Sequence, residues 1–289
     1  MVTPDNKLIG ILQILIGASL FGLIPILIRL GQNINTSNLL FFRVFFGAIF
    51  MYLIIKITKT ELNPFKEEKL KLFLWALTFL FAAIFYFLSL KLIAIAPAVL
   101  LLYSQSITII LLSRFWLKEK INAYTIIALI LSIIGVLLIL LPSGFYFRGN
   151  SLGYIFGIGA AFFAGLNFIL PKKYFQKYNT YSLTFYELLL LTPLLAIFVI
   201  ASPPDFNFKN MTIFMALGLL GTALAFLLIY TGSRKVSGQY IGILQTTEAL
   251  VPILLGIIFF SEIPPLTIFI GGVLLIGGDF LIAIKETKK

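Results

Sequence analysis

The chain has 289 residues, of which 60% are hydrophobic and only 11% are charged, and its mean hydropathy is +1.07. A soluble domain carries about 25% charged residues, so this composition excludes a water-soluble protein and predicts an all-α integral membrane protein. Cysteine and histidine are both absent, which excludes disulfides, thiol catalysis and the commonest zinc ligands.

Ten apolar segments are long enough to cross a bilayer, for which a helix needs about 20 mostly apolar residues. In chain order they are spans 1 to 10, at residues 8–30, 37–57, 70–90, 93–114, 122–141, 151–171, 181–201, 210–231, 239–260 and 264–284. Span 1 ends without a small-residue cleavage pattern, so we interpret it as an uncleaved span. The connections between spans are short, and we expect no extramembrane domain.

Lysine and arginine are distributed unequally between the two sides of the membrane. The termini and one set of alternate loops carry 17 of these residues, the opposite loops carry 4, and Arg43 lies inside a span. Cytoplasmic loops of membrane proteins are enriched in Lys and Arg, so we expect both termini in the cytoplasm. The net charge of +11 is explained by this asymmetry, and we expect no nucleic-acid partner.

The two halves of the chain resemble each other at an offset of 143 residues. The aligned pairs include Gly10 and Gly153, Gly22 and Gly165, and Gly135 and Gly278. We therefore predict two five-helix repeats, at residues 1–143 and 144–289. Because five is odd, the second repeat is inverted in the membrane. Inverted repeats recur in secondary transporters that work by alternating access, with the substrate near the midplane between the halves.

Several short motifs resemble the EamA-type, ten-helix branch of the drug/metabolite transporter superfamily. They are FFRVFFGAIF at 41–50, LKE at 117–119, FSE at 260–262 and GVLLIGG at 272–278, and their order and spacing carry the resemblance. It covers nearly the whole chain. The resemblance implies a multi-pass exporter of amino acids or related zwitterionic or cationic solutes in the cell membrane. It also leaves open an alternative, a lipid-linked substrate flippase of the same superfamily.

Polar residues near the middle of spans 4 and 9 predict a substrate site. Glu248 lies about 14 Å into span 9, and its repeat equivalent, Gln105, lies at a similar depth in span 4. Gln245 is one turn before Glu248 on the same side, and Thr108 flanks Gln105. Pro252 has no N–H to bond the carbonyl group of residue 248, which adds a backbone acceptor. Alternatively, Glu248 is protonated and only links neighbouring helices.

The other ionisable residues lie nearer to the membrane surfaces. Arg43 and Glu187 are each expected to line one vestibule, on opposite sides of the midplane and too far apart for a salt bridge. Arg43 could instead extend to the lipid headgroups, although the resemblance favours a binding role. Tyr86 and Tyr103 are further candidates, because a hydroxyl group inside a span needs a partner. Asp279 is expected to bond an interfacial group.

Other classes of protein fit these residues less well. A Ser–His protease needs histidine, and a two-aspartate protease needs a second intramembrane aspartate besides Asp279. No P-loop or nucleotide fingerprint is present, so we expect no enzyme, cofactor or metal, and ion gradients as the energy source, with protons as a candidate coupling ion. The expected partners are a small solute and the lipid bilayer, and the expected state is a monomer or homodimer.

Overall fold

The computed structural model describes residues 4–31, 35–62, 68–93, 95–140, 150–201, 207–261 and 264–287. Within these ranges ten helical segments are long and apolar enough to cross a membrane, which confirms the predicted all-α fold. In order, the spans comprise Pro4–Phe21 with Ile24–Leu30, Thr36–Ile57, Lys69–Leu92, Ile95–Tyr103 with Gln105–Trp116, Ala123–Leu140, Ser151–Tyr174, Thr180–Ala201, Phe208–Gly218 with Leu219–Leu224 and Ala225–Ser233, Gly238–Gln245 with Thr246–Ala249 and Leu250–Phe260, and Leu266–Thr287.

Four spans depart from a continuous α-helix. Span 1 is interrupted at Gly22 and Leu23, span 4 at Ser104, span 8 by a π-helical segment at Leu219–Leu224 and span 9 by a 3₁₀ turn at Thr246–Ala249. At membrane depth, irregular backbone is tolerated where it is buried in protein or lines a cavity. The interruptions in spans 1, 4, 8 and 9 therefore indicate that these spans line a binding site.

The packing of the spans follows a pseudo-two-fold symmetry. Span 1 packs on span 8 as span 6 packs on span 3, and spans 2 and 7, 4 and 9, and 5 and 10 form three further pairs. Each of these pairs combines one span from each repeat. A Cβ atom added at Gly10 would lie 2.7 Å from Lys235 Cβ, and one added at Gly153 would lie 2.8 Å from Leu92 Cβ, the equivalent residue. Two inverted five-helix repeats thus share one interior.

The side of the bundle that carries both termini is closed, and we call it the closed side. The Lys7 ammonium group donates to the Glu286 carbonyl oxygen at 3.1 Å, so the two ends of the chain meet. Glu119, at the end of span 4, accepts from the backbone N–H of Gly238 at 2.8 Å and thereby caps the first turn of span 9. Behind these contacts lies a core that includes Ile14, Trp75, Ile109, Tyr230 and Leu244.

Spans 5 and 10 are held together by reciprocal glycine contacts. A Cβ atom at Gly135 would lie 2.8 Å from the Gly271 carbonyl oxygen, and one at Gly271 would lie 2.5 Å from the Gly135 carbonyl oxygen. Such approach of backbones is the usual basis of helix association in lipid, where no hydrophobic force drives helices together.

We expect Gly271→Ala to force spans 5 and 10 apart and to lower the free energy of unfolding by about 1–3 kcal/mol, as overpacking does. The measurement is the midpoint of thermal unfolding in detergent. Gly277→Ala on the same helix is the matched control, because a Cβ atom there meets nothing within 4 Å. Equal midpoints for the two variants would contradict this account of the contact.

Candidate functional site

A cavity of about 840 Å³ lies between the two repeats. This is within the range of about 300–1,000 Å³ that is typical of small-molecule sites. Its walls are mostly aliphatic and aromatic, and its polar lining among the described residues consists of Arg43, Tyr86, Tyr103, Gln105, Asn167, Gln245 and Glu248. The cavity is therefore an apolar chamber with a few converging polar groups.

The cavity extends toward the side of the bundle opposite the termini. Ile28 at the end of span 1, Leu39 near the start of span 2, and Leu90 at the end of span 3 line it at that side. At the other end it stops at Phe168 and Phe226, whose rings lie 6.3 Å apart between centroids. The core of the closed side lies beyond these rings, so the chamber is blocked toward the termini.

Six of the eight residues predicted from the sequence line this cavity: Arg43, Tyr86, Tyr103, Gln105, Gln245 and Glu248. Thr108 and Glu187 are not among the lining residues. Thr108 packs against span 6, where a Cβ atom added at Gly165 would lie 2.7 Å from Thr108 Cγ2. Glu187 is fully buried at 0% exposure and bonds Asn167 at 2.7 Å. Asn167 itself was not predicted.

Arg43 is directed into the protein rather than toward the headgroups. Its Nε atom donates to Thr222 Oγ1 at 3.2 Å, and its Nη2 atom donates to the Gly221 carbonyl oxygen at 3.0 Å. Both acceptors belong to the π-helical segment of span 8. A π-bulge of this kind alters the helical hydrogen-bond pattern and is frequent at functional sites. The irregular turn thus holds the guanidinium group at the cavity wall.

Glu248 presents a carboxyl group to the same chamber. The Tyr103 hydroxyl group lies close enough to interact with it, and Arg43 lies within electrostatic range. Tyr86 is also close enough to interact with it. Among the described lining residues, Arg43 and Glu248 are the charged ones, and they have opposite signs. In a low-dielectric chamber both charges act strongly on a bound molecule.

Gln245 is the clearest unused polar group of the cavity wall. The residue is 1% exposed, and within the described part of the chain neither its amide nitrogen nor its amide oxygen has a hydrogen-bond partner. A buried amide without partners costs free energy, and native proteins leave few such groups. The hydrogen-bonding capacity of Gln245 is therefore unused in this conformation.

The backbone at residue 248 is less accessible than its sequence predicts. A Cβ atom added at Gly22 would lie 2.5 Å from the Glu248 carbonyl oxygen, so span 1 covers the acceptor that Pro252 leaves free. The equivalent contact recurs in the other half, where a Cβ atom at Gly165 would lie 3.4 Å from the Gln105 carbonyl oxygen. Only the Glu248 side chain, and not its carbonyl group, is left to serve a ligand.

Proline also explains why Asn167 occupies its position. Pro171 lies four residues after Asn167 and cannot bond its carbonyl oxygen, and Trp75 Nε1 supplies the missing donor at 2.8 Å. Sequence reasoning used this spacing for Glu248 and Pro252 but overlooked it here. A polar residue four positions before an intramembrane proline was the sequence signal that could have identified Asn167.

We expect Gly22→Ala to displace span 1 from span 9, because the added methyl group would overlap the Glu248 carbonyl oxygen and, at 2.6 Å, Val251 Cβ. The shift should move Glu248 and weaken ligand binding by about tenfold, as small misplacements in a site do. The comparison is with Gly272→Ala, where the nearest atom is the flexible Leu250 Cδ2 at 3.2 Å. Unchanged binding in Gly22→Ala would show that this contact does not position the site.

Ten spans in two inverted repeats, enclosing a polar-lined chamber that is blocked on one side, define a membrane transporter. Residues 8–141 and 151–284 each match the family model described as the EamA-like transporter family, and the chain belongs to this family. The two matched segments begin and end 143 residues apart, which is the offset of the repeat.

Relatives agree with this assignment along almost their full lengths. An uncharacterized transporter of Archaeoglobus fulgidus is 29% identical over 278 residues, which are 96% of this chain and 97% of the relative. The pseudopaline exporter CntI of Pseudomonas aeruginosa (strain UCBPP-PA14) is 24% identical over 290 residues, 97% of each chain. One crystal structure matches at a TM-score of 0.84 and 18% identity, with 99% of this chain and 100% of the other covered, and shares the fold.

Proposed function

We propose that the protein exports a small zwitterionic solute, such as an amino acid or a related metabolite, by alternating access between its two repeats. The observation that carries this proposal is the pairing of one guanidinium group, Arg43, with one carboxyl group, Glu248, in a single chamber of about 840 Å³. A solute with both an acidic and a basic group complements both.

The charge balance of the lining narrows the expected solute class. Sequence reasoning counted Glu187 with the pathway, which would favour cations as much as zwitterions. Glu187 lies outside the described lining, so one acidic and one basic side chain remain. A guanidinium group binds a carboxylate through paired hydrogen bonds, and the Glu248 carboxyl group suits an ammonium group. The apolar walls leave room for an aliphatic or aromatic substituent.

Alternating access is supported by the shape of the chamber together with the repeat. The chamber reaches only the side opposite the termini, and exchange of the conformations of two inverted repeats would open the other side. With both termini in the cytoplasm, as the lysines and arginines predict, this conformation faces outward across the cell membrane. The similarity to a pseudopaline exporter supports export as the direction.

The breaks in spans 4 and 9 are suitable places for this motion. Ser104 and Thr247 are equivalent in the two repeats and lie at the interruption of span 4 and in the 3₁₀ turn of span 9. Their neighbours Gln105 and Glu248 line the cavity. Discontinuous helices at the midplane combine substrate contacts with movable joints in secondary transporters.

The proposal is tested by ligand-induced thermal stabilisation of the purified protein with three forms of one amino acid: the free zwitterion, the N-acetyl derivative and the amide. We expect the wild type to prefer the zwitterion. Glu248→Gln should weaken binding of the zwitterion on the order of 30-fold, as loss of one partner of a buried charge pair does. This variant should bind the zwitterion and the N-acetyl derivative equally well, because the ammonium group of the zwitterion has lost its partner.

The control for this experiment is Glu61→Gln, which alters an exposed carboxyl group that lies outside the described lining of the cavity. It should retain the wild-type preference. If Glu248→Gln keeps the preference for the zwitterion over the N-acetyl derivative, Glu248 does not contact the solute. If no amino acid stabilises the wild type, the proposed solute class is wrong.

A further inference from the structure

Three side chains beneath the cavity form a closed ring of hydrogen-bonding groups. Asn167 Nδ2 donates to Glu187 Oε1 at 2.7 Å. The Tyr230 hydroxyl oxygen lies 2.7 Å from Glu187 Oε2 and 3.1 Å from Asn167 Oδ1. The three residues belong to spans 6, 7 and 8 and are 2%, 0% and 1% exposed, respectively. Asn167 reaches the cavity wall, whereas Glu187 and Tyr230 are buried behind it in this conformation.

The number of hydrogen atoms in the ring favours the protonated state of Glu187. Asn167 Nδ2 also lies 3.4 Å from Thr78 Oγ1, which itself donates to the Trp75 carbonyl oxygen, so the orientation of the amide is determined. The single hydroxyl hydrogen of Tyr230 can satisfy either Asn167 Oδ1 or Glu187 Oε2, but not both. When Glu187 Oε2 carries a proton it donates to Tyr230, Tyr230 donates to Asn167, and every acceptor is satisfied.

The surroundings of Glu187 offer no compensating positive charge. In the described part of the chain, no lysine or arginine pairs with it or acts on it electrostatically. Tyr230 from span 8 is the titratable group that faces it, whereas span 6 contributes the Asn167 amide and span 3 contributes Thr78. Span 2 packs on span 7 through an apolar cluster that includes Val44, Ala48, Met51 and Leu188. A buried unpaired carboxylate is strongly unfavourable, which again favours the protonated form.

Repeat symmetry indicates when the ring is opened. The residues equivalent to Asn167, Glu187 and Tyr230 in the first repeat are Ile24, Val44 and Phe87, all apolar. Ile24 and Phe87 line the open cavity in this conformation. In the opposite conformation, where the repeats exchange roles, Asn167 and Tyr230 would line a cavity open to the closed side. Val44, the equivalent of Glu187, is fully buried even beside the open cavity, so Glu187 would exchange a proton with water by way of the Tyr230 hydroxyl group that it bonds.

We propose that Glu187, Asn167 and Tyr230 form a proton-binding site that latches the closed side of the transporter. The proposal rests on the alternating-access part of the proposed function. As the closed side shuts, the Tyr230 hydroxyl group gives its proton to the Glu187 carboxylate and takes one from water on that side, and the new O–H group of Glu187 completes the ring. When this side reopens, the O–H bond breaks and the proton returns to the same water.

The latch makes the conformation depend on pH in a defined direction. The proton is bound only when the ring is closed, so a low pH favours the conformation described here. Raising the pH through the titration of Glu187 removes this stabilisation and favours opening toward the termini. One proton linked to the change alters the ratio of conformations by at most about tenfold per pH unit.

The absence of cysteine from the chain permits a direct test. Ala83→Cys places one thiol group in the cavity wall, and its rate of reaction with a maleimide in detergent reports how often the cavity is open. Division by the rate for Gln176→Cys, an exposed position in the loop between spans 6 and 7, corrects for the pH dependence of the reaction between maleimide and a thiol. We expect the normalised rate to fall as pH rises, by up to about tenfold per unit.

Glu187→Gln reproduces the protonated ring, because its amide nitrogen can donate to Tyr230 and its oxygen can accept from Asn167. We expect a high normalised rate that no longer depends on pH. Glu61→Gln, the same change at an exposed carboxyl group, should keep the pH dependence. A Glu187→Gln protein with the wild-type pH dependence would overturn the proposal, as would loss of that dependence in Glu61→Gln.

Tyr230→Phe provides a second variant, in case Glu187→Gln does not fold. It removes the hydroxyl group that joins Glu187 to Asn167, so the normalised rate should be low at every pH. A rate and pH dependence like those of the wild type would overturn the ring as a latch. Labelling needs no substrate, so these results stand even if no zwitterion binds, and failure of the latch leaves the solute test unaffected.

Discussion

Contact between backbones at two glycines determines the geometry on which the site depends. Gly22 brings span 1 against the carbonyl oxygen of Glu248, and Gly165 brings span 6 toward the carbonyl oxygen of Gln105. In lipid, helices gain little by burying apolar surface, so close packing of small residues takes over the role of a hydrophobic core. The two contacts place the polar side chains of spans 4 and 9 on either side of one chamber.

Depth in the membrane is readable from sequence, but rotation of a helix about its axis is not. Hydropathy found all ten spans because bilayer thickness imposes a minimum length, and counting residues placed Glu248 and Gln105 near the midplane. Thr108 was expected beside Gln105 and Glu187 in a vestibule, yet Thr108 faces span 6 and Glu187 faces Asn167. The side of a helix that faces a cavity depends on the neighbouring helix that it packs against. The sequence of one span therefore does not determine its rotation.

The two repeats have similar backbone packing but different polar side chains. Equivalent contacts at Gly22 and Gly165 show that both repeats use the same framework. The polar side chains differ between the repeats, because the residues equivalent to Asn167, Glu187 and Tyr230 are the apolar Ile24, Val44 and Phe87. In the proposed alternating-access cycle this framework would adopt two conformations, and a few buried polar groups would decide which one is populated under given conditions.

The hydrogen bond from Trp75 to the Asn167 carbonyl group gives the protein a built-in optical signal. Trp75 is 1% exposed and its ring lies 5.5 Å from that of Tyr230 between centroids. The other tryptophan, Trp116, is 37% exposed at the surface beneath the Lys173 ammonium group. Movement of span 6 or span 8 would hydrate the indole of Trp75 and shift its fluorescence emission to longer wavelength, so the unmodified chain would report the proposed conformational change without any attached dye.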